Sequence, residues 1–121
     1  MWILTPEGFF STTQSGIDPN KIQVRARKEK HLLLLLERVG EKKKDNPILV
    51  TKNRDYQYRI ILDRHVFNEW MSKVIDTLDY SNFKSKAQEV SGYDEYVHLL
   101  HDIWGMGFEA LCENWSEYIN S

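Results

Sequence analysis

Three arginines occupy positions where a period-two pattern would place their side chains on one face of a sheet. Arg25 and Arg27 alternate with apolar residues in one segment, and Arg59 has the corresponding position in a later alternating segment. If these segments are neighbouring strands, three guanidinium groups gather together. Because guanidinium groups are planar and forked, such a cluster binds phosphate or carboxylate groups through paired hydrogen bonds. The alternative interpretation is solvation, or cross-strand ion pairing with acidic residues.

Two further segments each combine a carboxylate, a phenol and a cation within six residues. They run from Asp55 to Arg59 and from Asp79 to Lys84. Tyrosine and arginine are frequent anchors of protein interfaces, because they bring a large contact area together with a polar tip. The alternative is that these residues cap helices and fill the core. The predicted binding residues are Arg25, Arg27, Asp55, Tyr58, Arg59, Asp79, Tyr80, Asn82 and Lys84.

The last predicted helix carries two histidines that could act as acids or bases near neutral pH. Helical spacing places His98 beside both His101 and Asp102. The pattern lacks the glutamate and the third ligand of the zinc-protease motif, so no metal site is predicted. Cys112 has no second cysteine to pair with and has acidic neighbours, which disfavour a reactive thiolate. No catalytic residue and no cofactor are predicted.

Enzymatic function is the weaker interpretation. The sequence contains no GxGxxG, GxxxxGK[ST], GxSxG or HExxH motif, so the usual signals of nucleotide binding, serine hydrolysis and zinc proteolysis are missing. An enzyme would have to use the arginine cluster with His98 or His101 as general acid or base, oriented by Asp55 or Asp79. The corresponding hypothesis is a small nucleic-acid-processing enzyme.

Composition predicts one domain over residues 1–121, sheet-rich over 1–62 and helical over 63–121. The chain is 41% hydrophobic and 28% charged, and its one cysteine excludes an internal disulfide framework. The formal charge is -2, but the charge is distributed unevenly along the chain: residues 20–64 carry +7 and residues 65–121 carry -7. Such a dipole can steer a charged partner. The overall acidity argues against general nucleic-acid binding.

No apolar run is long enough to cross a bilayer, and none has the form of a signal peptide, so a cytoplasmic protein without membrane association is expected. The longest apolar run, Leu32 to Leu36, makes one helix apolar over a wide face. A homodimer that buries this face against its copy is therefore a further hypothesis.

Hydrophobic periodicity predicts an α+β fold with a four- or five-stranded, mostly antiparallel sheet and helices packed on one face. The predicted strands are 2–5, 9–14, 21–27, 48–50 and 56–62, and the predicted helices are 28–40, 64–78, 83–90 and a last one from residue 93 or 94 to about 115. In the last strand, Tyr56 and Tyr58 are expected on the same side. The Asp63 carboxylate is expected to cap the second helix.

Amphipathic stripes give the expected buried faces of the two longest helices. The second helix would bury Val66, Phe67, Trp70, Met71, Val74, Ile75 and Leu78. The last helix would bury Tyr96, Leu99 or Leu100, Ile103, Trp104, Phe108 and Leu111.

Five short motifs resemble a family of small uncharacterised bacterial proteins. They are Met1-Trp2-Ile3 with Gly8-Phe9-Phe10-Ser11, Val24-Arg25-Ala26-Arg27, Asp55-Tyr56 with Tyr58-Arg59, Asp79-Tyr80-Ser81-Asn82-Phe83-Lys84, and His101-Asp102-Ile103-Trp104. The resemblance extends over nearly the whole chain. It implies a small soluble bacterial protein whose motif residues share one site, and it implies no particular activity, substrate or cofactor.

The favoured function is a non-enzymatic binding or regulatory module. Its partner would be an anionic ligand or a protein, held by the arginines together with the residues of the two tyrosine-containing segments. With Phe9 or Phe10 nearby, the same face is also similar to the stacking platforms that bind single-stranded nucleic acid, although the net charge does not favour that ligand.

Overall fold

The computed structural model describes residues 1–41 and 44–113. One antiparallel sheet has the strand order β1-β2-β3-β5-β4. The strands are β1 (Trp2–Thr5), β2 (Gly8–Gln14), β3 (Lys21–Ala26), β4 (Leu49–Val50) and β5 (Tyr58–Asp63). The helices are α1 (Glu29–Val39), α2 (Arg64–Asp76), α3 (Phe83–Ser91) and α4 (Glu95–Leu111). The predicted α+β class and the mostly antiparallel sheet are therefore confirmed.

The first face of the sheet packs against α1 and α2. Val24, Ala26 and Ile60 project from the central strands into this core and are completely buried. The helices contribute apolar side chains, among them Leu32 and Trp70. Burial of apolar side chains is the main stabilising contribution to such a layer, at about 1.5–3 kcal/mol for each large residue.

The leucine run of α1 is largely used inside the chain. Leu32, Leu35 and Leu36 are buried, and Leu33 is 38% exposed. The wide apolar face of α1 packs against both the sheet and α2. These two contacts account for the width of the face without a second copy of the protein. A homodimer stays a prediction, but the width of this apolar face does not require one.

The second face of the sheet is covered at one end only, by α3 and α4. Ala87 of α3 and Tyr96, Val97 and Leu100 of α4 form a separate core cluster with Phe9 and Tyr56. Phe9 projects to this side because its neighbour Phe10 belongs to the first core. The remainder of the second face carries the polar and cationic side chains of β2, β3 and β5.

Gly8 is required where the first hairpin approaches α1. A Cβ atom at this position would lie 2.6 Å from Cγ of His31 and 2.8 Å from its Cβ. Any side chain at residue 8 would therefore displace the imidazole or the hairpin. Glycine allows the backbone of β2 to lie directly against the histidine ring, and the N–H of Phe9 donates a hydrogen bond to His31 Nδ1 at 3.4 Å.

The last strand begins two residues later than predicted, and this separates two tyrosines. Tyr56 lies in the bend before β5 and joins the cluster on the second face, whereas Tyr58 packs against the first core. The expectation that both lie on the same side was wrong, because strand alternation begins only at Tyr58. Asp63 has the N-cap position of α2 but makes no capping hydrogen bond, and its carboxylate pairs with Lys21 at 3.4 Å instead.

The predicted stripes extend beyond the residues that the helices bury. On α2, Ile75 is 60% exposed, and Leu78 lies beyond the end of the helix. On α4, Trp104 and Leu111 are 50% and 82% exposed, and Ile103 is also exposed. These inward assignments were wrong, because the residues that α2 and α4 bury end at Trp70 and Leu100. The predicted end of this helix near residue 115 lies outside the described residues.

Candidate functional site

One row of side chains crosses the second face of the sheet. Trp2 pairs with Ser11, Ser11 with Arg25, Arg25 with Arg59, and Arg59 with Leu49. Side chains of paired residues in antiparallel strands project from the same face and lie about 5 Å apart at Cβ. The three strands β2, β3 and β5 therefore place Ser11, Arg25 and Arg59 side by side. We call these three residues the arginine row.

The alternation of β3 and β5 determines which side the arginines occupy. Val24 and Ala26 flank Arg25 in sequence, and Ile60 follows Arg59, and all three apolar residues are completely buried in the first core. A strand cannot bury these residues without directing the intervening arginines to the opposite face. The predicted grouping of Arg25 and Arg59 on one face is therefore the arrangement found.

Aromatic rings hold two of the guanidinium groups. The guanidinium carbons of Arg25 and Arg27 lie 5.0 Å and 4.3 Å from the centre of the Tyr56 ring, and that of Arg27 lies 5.3 Å from the Phe9 ring. Contacts of this type contribute about 0.5–2 kcal/mol each. Nη2 of Arg25 also donates a hydrogen bond to Ser11 Oγ at 2.8 Å. These contacts restrict the orientation of the Arg25 side chain.

Two donors of the arginine row have no acceptor within the chain. The Nε atoms of Arg25 and Arg59 are inaccessible to solvent and make no hydrogen bond. Among the residues that the structure describes, no carboxylate oxygen lies within 4.0 Å of Arg25, Arg27 or Arg59. Internal ion pairing, the alternative considered from the sequence, is therefore not found there. A buried N–H without an acceptor costs about 1–3 kcal/mol, and more if charged.

The other residues of the first tyrosine-containing segment support the site or lie elsewhere. Asp55 is exposed, and its Oδ1 accepts a hydrogen bond from the N–H of Tyr56 at 2.9 Å. It therefore shapes the bend that presents the Tyr56 ring to the arginines. Tyr58, in contrast, packs against the first core on the other side of the sheet. Direct contact between Tyr58 and a ligand of the arginine row is incompatible with this position.

The second tyrosine-containing segment is divided between a cleft and a helix. Asp79 and Tyr80 line a cleft of about 170 Å³ beside the first hairpin, together with Arg38 and Lys86. In the part of the chain that is described, neither makes a hydrogen bond or an ion pair with the arginine row. Asn82 caps α3, because its Oδ1 accepts a hydrogen bond from the N–H of residue 85 at 2.9 Å.

Lys84 belongs to the helical pair that packs on the second face. Its Nζ lies 4.2 Å from the centre of the Trp104 ring. The neighbouring Phe83 packs against the same cluster as Tyr56, the ring that contacts Arg25 and Arg27. Trp104, the ring that Lys84 contacts, is not a member of that cluster, and within the described residues Lys84 makes no hydrogen bond with the arginines.

The two exposed histidines of α4 make no polar contact with the arginines among the described residues. His98 and His101 are exposed on α4, and within the described ranges neither makes a hydrogen bond or an ion pair with the arginine row. The residues that α4 buries are Tyr96, Val97 and Leu100. In residues 1–41 and 44–113, no group of three His, Cys, Asp or Glu side chains could hold a metal ion. The pair that the enzyme hypothesis requires is thus not formed there.

His31 of α1 is buried among aromatic rings. It is 3% exposed, and its ring lies 5.0 Å from that of Tyr96 and 6.2 Å from that of Phe10. Burial, reinforced by the nearby charge of Lys30, lowers the pKa of His31 from 6.5 to about 4, although Asp94 acts in the opposite direction. The imidazole is therefore neutral at physiological pH, with Nδ1 as an acceptor. It joins the first hairpin to α1 and α4.

Comparison of the chain with protein-family models, with curated proteins and with solved structures found no match. The resemblance to a family of small bacterial proteins therefore stays a prediction. Among the described residues, no helix has both the length and the apolar character needed to cross a membrane.

The predicted binding residues omit three residues of the second face that contact the arginines or belong to their row: Trp2, Ser11 and Tyr56. Phe9, which was considered together with Phe10, contacts Arg27. The first hairpin offered a usable signal. Its turn at Pro6-Glu7-Gly8 sets the pairing of β1 with β2, and this pairing places Trp2 opposite Ser11. The sequence contains no signal for the position of Tyr56, because that position depends on the residue at which β5 begins to pair with its neighbours.

Proposed function

We propose that this protein is a non-enzymatic binding module that holds an anionic group, phosphate or carboxylate, on the second face of its sheet. The observation that supports this proposal is the pairing of Arg25 with Arg59 across β3 and β5, with Nε of both arginines lacking an acceptor. Two like charges directly opposite each other destabilise a sheet. An anion that bridges the two guanidinium groups replaces this repulsion with attraction.

The neighbouring contacts favour binding because they restrict the cationic groups before the ligand arrives. Tyr56 and Ser11 hold Arg25, and Phe9 with Tyr56 holds Arg27. Less side-chain entropy is then lost on binding. The Arg59 side chain is half-buried and makes no hydrogen bond or ion pair with another described residue, so its guanidinium donors have no internal acceptor that competes with a ligand.

The experiment is a titration with tripolyphosphate and, separately, with citrate, followed by NMR of the arginine Nε–H resonances. We expect saturable shifts of the Arg25 and Arg59 resonances with at least one of the two anions. The variants Arg25→Gln and Arg59→Gln should each weaken binding at least tenfold. Arg64→Gln is the matched control, since it removes the same charge at the other end of β5, where Arg64 donates to the carbonyl of Pro19.

Circular dichroism of each variant establishes that the fold is retained. Absence of saturable shifts with both anions would overturn the proposal. The same conclusion would follow if Arg64→Gln weakened binding as strongly as the other two variants, because the interaction would then depend on net charge rather than on the arginine row.

A further inference from the structure

An exposed indole lies on the same face of the sheet as the arginines. Trp2 is 68% exposed and is paired with Ser11, the first member of the arginine row. Its ring centre is 5.7 Å from that of Phe9, with the two planes inclined at 58°. The inclined contact leaves much of the indole accessible to another planar group.

The strand spacing sets the distance between the indole and the cations. Neighbouring strands lie about 4.8 Å apart, so the backbone of Trp2 is about 10 Å from that of Arg25 and about 14 Å from that of Arg59. Tryptophan and arginine side chains are long enough to narrow both distances. A ligand that contacts all three residues has to extend across the strands and carry a planar ring at one end and negative charge at the other.

On the basis of the proposed anion site, we propose that the ligand is single-stranded nucleic acid. A base stacks on Trp2, and the phosphates that follow it bind Arg25 and Arg59. Aromatic platforms beside a cationic groove bind single strands without strict sequence preference, because every base has a π-face. A base in a duplex is stacked on both sides and presents no free face to Trp2.

Charge complementarity supports a short segment rather than a long one. Residues 20–64, which include β3 and β5, carry +7, whereas residues 65–121, which include α3 and α4, carry -7. A polyanion is attracted to the arginine row and repelled by the acidic helices. The path from Trp2 towards β4 runs across the basic strands, which confines the contact to a few nucleotides.

The experiment measures fluorescence anisotropy of labelled oligonucleotides with the full chain at low salt. The probes are dT8, an abasic strand with the same number of phosphates, a duplex of equal length and a peptide of eight glutamates. We expect dT8 to bind about tenfold more tightly than the abasic strand, since stacking of one base is worth about this factor. Trp2→Ala should remove this difference and leave binding of the abasic strand unchanged.

Two variants control for the loss of an aromatic ring. Trp2→Phe keeps a smaller ring and should retain part of the preference for dT8. Tyr93→Ala removes another exposed aromatic side chain, which is 75% exposed in the loop before α4, and should change nothing. Because Trp2 is largely exposed, its replacement is compatible with an intact fold, which circular dichroism checks.

Different measurements test the nucleic-acid assignment and the anion site. Equal binding of dT8 and the abasic strand, or no effect of Trp2→Ala, would overturn the nucleic-acid assignment while leaving the anion site intact. Tighter binding of the duplex or of the glutamate peptide would overturn it as well, and the peptide result would indicate a protein partner. The proposed function is refuted by separate results: the absence of saturable arginine shifts with tripolyphosphate and citrate, or an equal loss of anion binding in Arg64→Gln.

Discussion

Arg25 and Arg59 lie directly opposite each other on β3 and β5, and both side chains project from the second face of the sheet. The apolar residues beside them in sequence are buried in the first core, so neither arginine can move to the other side. This pairing of like charges is a structural cost that the rest of the fold offsets.

Replacement of Arg59 by glutamine should increase stability when no anion is bound. The change removes the repulsion with Arg25, and we expect a gain of about 0.2–1 kcal/mol in the free energy of unfolding. Urea denaturation at low salt measures it, and high salt should reduce the gain. Arg64→Gln should give no gain. A loss above about 1 kcal/mol for Arg59→Gln would mean that the side chain is structural.

Replacement of Gly8 by alanine should destabilise the protein by about 1–3 kcal/mol, because the new methyl group would overlap the His31 ring. His31→Ala removes the ring atom at the shortest distance, Cγ, and leaves Cβ of residue 31 at 2.8 Å, so it relieves part of the overlap. The double variant should therefore be more stable than the sum of the two single effects predicts, by at least about 0.5 kcal/mol. Additive effects in this double-mutant cycle would contradict the contact.

Stability should decrease as pH falls from about 6.5 towards 4, because of His31. Burial holds the pKa of this histidine at about 4 in the folded state, below the value of 6.5 for a free side chain. Above pH 6.5 the imidazole is neutral in both states. Below it, only the unfolded state takes up a proton, so stability is lost at up to about 1.4 kcal/mol per pH unit.

The measurement is urea denaturation between pH 7 and pH 4.5, with His31→Gln as the comparison. This variant has no titrating group at residue 31, so its stability should change less over the same range. Because both proteins contain the same carboxylates, the difference between their stabilities isolates the contribution of the histidine. Equal slopes would show that His31 does not titrate abnormally.

Replacement of Tyr96 by phenylalanine should loosen the attachment of α4. The Tyr96 hydroxyl lies 2.6 Å from the carbonyl oxygen of Thr5 and 3.0 Å from that of Gly8, and burial raises the pKa of this phenol well above its ordinary value. Loss of the hydroxyl leaves buried carbonyl groups with fewer donors, at a cost of about 1–2 kcal/mol. Hydrogen exchange should accelerate in α4 and at the first hairpin, and an unchanged rate in α4 would contradict this role.

Much of the fold follows from local patterns in the sequence. The alternation from Lys21 to Ala26 specifies which side chains of β3 face the core. Gly40 ends α1 in the left-handed conformation that its lack of a side chain allows, with φ of 72°. Asn82 caps α3 as its side-chain chemistry favours. Each of these features depends on neighbours within a few residues, and the sequence contains those neighbours.

The candidate site could be predicted only in part from the sequence. Alternation placed Arg25 and Arg59 on matching faces of two strands, but it did not specify that the strands are neighbours. Tyr58 was chosen as a site residue because it lies in one short segment with Asp55 and Arg59, and Tyr56 was expected on the same side of the strand as Tyr58. Because pairing begins only at Tyr58, the two rings lie on opposite sides of the sheet, and Tyr56 is the one in contact with the arginines.

The sequence by itself indicated the helices, the strands and the buried faces of β3 and β5, because hydrophobic periodicity is a local property. Tertiary structure alone decided that Trp2, Ser11, Arg25 and Arg59 form one row across four strands. The periodicity of a strand specifies a face but not a partner or a register. Which strands become neighbours, and in which register, is determined when distant segments pair so that both core clusters are buried.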